Sequence, residues 1–135
     1  MNDTVTVAAE AMATRFEIAL HGAPEATLRA AAEEALAEVS RLESMLSLYE
    51  PTSEISHINS RGAHEPVPVS PEVFSLLQRC VELNKQTKRA FDITIAPLMK
   101  CWKFMGETGS TPTENEIEQA CALVGADHLK LNTSD

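Results

Sequence analysis

The stretch from Leu28 to Leu46 constrains this chain most. Leu28, Ala32, Ala35, Val39, Leu42 and Leu46 step by 4, 3, 4, 3 and 4 residues. That spacing draws one apolar stripe along an α-helix, with Glu25, Arg29, Glu33, Glu34 and Arg41 on the opposite face. The alanine-rich composition favours the helix intrinsically. A narrow stripe of small residues asks for a close partner, either a sheet or another helix. A coiled coil is the alternative, although two or three heptads make only a short one.

The segments on either side add strands and shorter helices. From Val5 to Leu20 the chain reads as extended: TVTVA alternates, and RFEIAL alternates again with Phe16, Ile18 and Leu20 on one side. Two strands and one long bent strand fit equally. Turn chemistry at His21-Gly22-Ala23-Pro24 leads into the long helix. Ser53 caps a short helix through Asn59, and Glu65 to Val69 is extended, with two prolines that restrict it to an edge strand or an isolated segment. Ser70-Pro71 opens a helix whose buried side carries Val73, Leu77, Cys80, Val81 and Asn84. Ala96 to Lys103 is another short helix. Thr113 to Glu116 forms a capping box, with Thr111 to Glu114 as a competing register, ahead of Ile117, Ala120, Cys121 and Val124. His128 to Leu131 alternates as a strand.

Composition excludes whole classes. The 135 residues suit a single domain, and 44% apolar with 23% charged residues is a globular composition rather than a disordered one. No apolar run approaches the roughly 18–20 residues of a membrane span. Twenty acidic against eleven basic residues give a net charge of −9, which repels a phosphate backbone and argues against nucleic-acid binding. Cys80, Cys101 and Cys121 are odd in number and lack CxxC spacing, so they read as small buried apolar residues in a reduced chain. The first residues show neither the basic nor the apolar region of a signal peptide, so a cytoplasmic location is expected.

Standard chemical motifs are absent from this sequence: there is no GxGxxG, no GxxxxGK[ST] and no HExxH. The four histidines are scattered and read as solvated or loop residues. Three places look unlike scaffold. Met12-Ala13-Thr14 interrupts an alternating strand, either as an irregularity or as a bulge that opens backbone groups to a ligand. Ser47 to Glu54 puts the only tyrosine, Tyr49, at a helix end, where it plugs that end or stacks on a flat ring. Arg89 to Thr94 places Phe91 and Asp92 before a helix, where Asp92 or Thr94 caps it or the loop meets a ligand.

At these places the sequence resembles the N-terminal half of the FAD:protein FMN transferases, the ApbE-type flavin transferases. The resemblance rests on Met12 to Phe16, Leu46 to Ser56 with Asn59, Ser70-Pro71-Glu72, Thr87 to Thr94, Ala96-Pro97-Leu98, Trp102-Lys103-Phe104 and Pro112 to Leu129, in matching order and spacing. It implies an α+β fold, a T-fold-like half domain of antiparallel strands and packed helices. It also implies a Mg²⁺-dependent reaction in which FMN moves from FAD to a Thr or Ser hydroxyl of an acceptor flavoprotein and AMP leaves. By motif position, Met12, Tyr49, Ala90, Phe91 and Asp92 contact FAD, converging on the flavin dinucleotide. The family has Gly where Ala13, Arg89 and Lys103 stand here. Family members are about twice as long, and the metal-binding residues belong to their second half. The expectation is therefore a chain with no metal ligands of its own and weak activity in isolation. The alternative is a non-catalytic flavin-binding module that self-associates or pairs with a complementing half. No lipid-anchor cysteine precedes the fold.

Overall fold

The computed structural model describes residues 4–106 and 108–133. The chain divides into two compact units, Met1–Val69 and Ser70–Asp135.

The first unit opens with strands β1 (Thr4–Ala11) and β2 (Thr14–His21), paired antiparallel. The pairing sets Val5 opposite Leu20, Val7 opposite Ile18 and Ala9 opposite Phe16. Because side chains alternate along a strand, these six share one face, and they are the more buried positions of the hairpin. Helix α1 (Glu25–Leu46) packs on the hairpin and buries Leu28 and Ala32. Each large apolar side chain so buried stabilises the unit by about 1.5–3 kcal/mol. The predicted stripe holds at Leu28, Ala32, Val39, Leu42 and Leu46, but Ala35 is exposed and Leu36 is half-buried instead. The reason is geometric: 3.6 residues per turn carry a strict 4, 3 pattern around the helix, and a bulkier leucine lies one position away. Helix α2 (Glu54–Arg61) follows, and residues 65–69 form no strand.

The second unit is helical. Helix α3 (Pro71–Gln86) starts with Ser70 accepting the Val73 N–H and buries Val73, Leu77 and Asn84 as the spacing predicts. Helix α4 (Ala96–Cys101) packs with α5 (Glu114–Ala122). The Thr113–Glu116 capping box is present, with the Thr113 N–H on the Glu116 carboxylate at 2.8 Å, which decides the register. Between α4 and α5, Trp102 and Phe104 stack with centroids 6.3 Å apart, and the Gly109 N–H closes the loop on the Lys103 carbonyl. A Cβ on Gly109, whose φ is +81°, would stand 3.0 Å from the Phe104 ring.

Two sequence expectations fail here. Residues 126–128 form a single 3₁₀ turn, and no strand covers 128–131. A strand needs a hydrogen-bonded neighbour, and among the described residues none pairs with this segment. Of the cysteines, Cys80 and Cys101 are half-buried but Cys121 is exposed. No helix among the described residues is long and apolar enough to cross a membrane.

Candidate functional site

In the first unit, Met12 and Ala13 are the two central residues of a tight hairpin turn, not a bulge. Ala11 pairs with Thr14, and φ is 52° at Met12 and 56° at Ala13. Both central residues at positive φ mark the mirror-image turn whose twist suits a right-handed hairpin. The Met12 N–H is held by the Glu43 carboxylate of α1 at 2.6 Å, and the side chain is 45% exposed.

Tyr49 belongs to the same end of α1. The Ser47 hydroxyl oxygen accepts the N–H groups of Tyr49 and Glu50 at 3.1 and 3.0 Å, and the Ser47 carbonyl accepts the Ser53 hydroxyl at 2.5 Å. Ser53 is 1% exposed and also caps α2 through the Ser56 N–H. The backbone under Tyr49 is thus pinned while the residue is 70% exposed. It does not plug the helix end. A large ring fixed by its main chain and bare to solvent is equipped for a flat ligand. Glu43 and Ser47, one turn apart at the end of α1, therefore position Met12 and Tyr49 respectively.

In the second unit, Ala90, Phe91 and Asp92 line an open hollow of about 560 Å³ together with Arg89, Ile95, Leu98, Val124 and Gly125. Phe91 is 39% exposed. The buried amide of Asn84 shapes the loop, donating to the Phe91 carbonyl at 2.7 Å and to the Asp92 carboxylate at 3.1 Å. The other Asp92 oxygen accepts the Thr94 N–H and hydroxyl at 2.8 and 2.6 Å, and the Thr94 hydroxyl oxygen accepts the Gly125 N–H at 2.7 Å. Partial burial pushes the Asp92 carboxyl up. Hydrogen bonds from the Thr94 hydroxyl and backbone, the Ala126 backbone and Asn84 outweigh that, holding it below the ordinary carboxylate value. Neither Asp92 nor Thr94 caps α4, whose cap position is Ile95. Asp92 ties its loop to α3 and to the segment after α5, so its first role is to shape the wall that Ala90 and Phe91 present.

Sequence reasoning missed Asn84, Thr94 and Glu43 as site builders. A signal existed for Asn84 alone: one amide in a buried stripe requires a partner. Backbone geometry also explains the three positions where the family resemblance expects glycine. Ala13, Arg89 and Lys103 have φ of 56°, 71° and 55°. The left-handed region suits glycine and costs an L-residue about 1 kcal/mol or more. Among the described residues, no group of three or more His, Cys, Asp or Glu side chains comes together.

These elements superpose on solved ApbE proteins. The ApbE protein from Thermotoga maritima matches with a TM-score of 0.83 and 26% identity, over 93% of this chain and 40% of that one. Flavin transferase ApbE from Vibrio cholerae matches with a TM-score of 0.80 and 25% identity, over 98% and 44%. In fold the chain thus matches an α+β part of these ApbE proteins. The sequence model of the ApbE family matches residues 12–135, and the chain belongs to that family. Among curated relatives, an FAD:protein FMN transferase of Vibrio cholerae is 32% identical over 88 residues, 64% of this chain and 26% of that protein. One of Haemophilus influenzae is 27% identical, over 96% of this chain and 39% of that protein. The chain spans about two-fifths of the length of relatives it matches end to end.

Proposed function

We propose that this chain is the flavin-recognising part of an FAD:protein FMN transferase. The observation that carries the reading is that the family match over residues 12–135 includes both the Met12–Tyr49 end of the first unit and the Ala90–Asp92 hollow of the second. In this reading Met12 and Tyr49 offer a thioether and a phenol face to the flavin. Ala90 and Phe91 supply an apolar wall, and Asp92 holds that wall in shape.

The reaction is transfer of a phosphoryl-linked flavin. The acceptor's Thr or Ser hydroxyl oxygen forms a new bond to the FMN phosphorus, the pyrophosphate P–O bond to AMP breaks, and the hydroxyl proton departs. Mg²⁺ supplies charge neutralisation to such chemistry when bound. The described residues bring together no cluster of three ligands for it, and the contribution assigned to this chain is binding and orientation of FAD. Its isolated turnover is weak.

Fluorescence titration tests the reading. Saturable quenching of FAD by the purified chain is expected, weakened in Tyr49→Ala and in Phe91→Ala, with AMP released from FAD and Mg²⁺ slowly or not at all. Absence of saturable FAD binding overturns it.

A further inference from the structure

We propose that Arg89 reads the phosphate of a flavin nucleotide seated in the second unit's hollow, exchanging its ion pair with Asp127 for that phosphate. The inference rests on the flavin reading above and adds a residue that reading does not use.

Three observations carry it. Arg89 lines the hollow beside Ala90, Phe91, Leu98 and Val124, so one guanidinium stands at a wall that is apolar apart from Asp92. The remaining charge there, Asp92, is engaged by its own chain through Asn84 and Thr94. In a chain of net charge −9, a local cation offsets the general repulsion of a phosphate ester.

The second observation is that the residue's backbone is fixed, so the side chain is presented from a set position. The Arg89 N–H is bonded to the Asn84 carbonyl at 2.7 Å, and the residue sits at φ 71° in a turn closed by the Ala90 N–H on the Thr87 carbonyl. Carrying a Cβ at a left-handed position is unfavourable. Apart from the exposed ion pair described next, the arginine side chain makes no hydrogen bond or ion pair among the described residues that would offset this cost.

Third, the guanidinium pairs with Asp127, and both side chains are mostly exposed, at 66% and 77%. Exposed pairs of this kind contribute little, about 0–1 kcal/mol. A phosphate ester offers more charge and an oxygen array that matches the guanidinium fork, so it displaces a carboxylate held this loosely.

The test compares ligands that share the ring but differ in phosphate. The chain is titrated with FAD, FMN and riboflavin, following flavin fluorescence, for the wild type, Arg89→Gln, Arg89→Gly and Asp127→Asn. FAD and FMN are expected to bind about tenfold tighter than riboflavin, the size of one charge-assisted contact. Both Arg89 variants abolish that preference while leaving riboflavin affinity unchanged, and Asp127→Asn enlarges it. Thermal melts check that Arg89→Gly folds, and Arg89→Gln keeps the Cβ and removes only the charge. An unchanged FAD-to-riboflavin ratio in both Arg89 variants overturns the assignment and leaves the flavin reading standing. Failure of every flavin to bind the wild type overturns both. ADP binding as tightly as FAD overturns the flavin seat in favour of a bare phosphate site.

Discussion

The side-chain amide of Asn84 donates to the main-chain carbonyl of Phe91 at 2.7 Å, from a residue only 5% exposed near the end of α3. A buried amide thereby sets the shape of a loop seven residues further on. Asn84→Ala removes this bond and the one to Asp92, leaving acceptors without their donor. A loss of about 2 kcal/mol in urea unfolding is expected, within the range for buried polar partners left unpaired. A change below a few tenths of a kcal/mol would show that the loop is held by other means.

Asp92 makes this unit acid-sensitive. Its carboxyl is held below the ordinary value of about 3.9, so the folded state binds its proton more weakly than the unfolded state does. The stabilisation is complete above the unfolded value and disappears as pH falls through the lower folded value. Asp92→Asn should therefore destabilise at pH 7 and flatten the part of the stability–pH curve below about pH 4. Parallel curves for wild type and variant across that window would contradict it.

Glycine at the strained positions should stabilise. Ala13 and Lys103 hold φ of 56° and 55°, and Ala13→Gly or Lys103→Gly relieves that strain against the extra chain entropy of glycine. The net expectation is a gain of up to about 1 kcal/mol for each, read as a raised Tm. A drop in Tm for both would mean that these backbones are not strained.

Glu43 guards the hairpin turn. Glu43→Ala frees the Met12 N–H that the carboxylate now accepts at 2.6 Å. Amide exchange at Met12 should accelerate about tenfold or more while amides in the middle of β1 keep their protection. Uniform acceleration along the strand would instead indicate global destabilisation.

Tyr49 separates binding from folding. Because it is 70% exposed, Tyr49→Ala should shift Tm by no more than about 0.5 kcal/mol equivalent while weakening FAD binding. Tyr49→Phe should keep most of the affinity, since the ring face is the binding element. Equal FAD affinity in wild type and Tyr49→Ala would remove this residue from the site.

Elements governed by local pattern were legible before any coordinates. The Ser53, Ser70 and Thr113 caps declare themselves through residue type and spacing, and the structure has all three bonds. Positions decided by tertiary contact were not. Nothing local tells Leu36 from Ala35 as the more buried of the pair, and alternation at His128 to Leu131 makes no strand without a partner. Left-handed backbone at Ala13, Arg89 and Lys103 was hidden from residue type, since side chains that avoid that region occupy it, and only the family's glycines at these positions hinted at it. The site's framework depends on Asn84, Thr94 and Glu43, whose partners lie up to 31 residues away, a separation that periodicity cannot reveal.

The two-residue connection between β1 and β2 also locks parity. One residue more or fewer between Ala11 and Thr14 would swing every side chain of one strand to the other side, sending Phe16, Ile18 and Leu20 into water and Arg15, Glu17 and Ala19 under α1. The length of this connection is therefore fixed even where the identity of its residues is not.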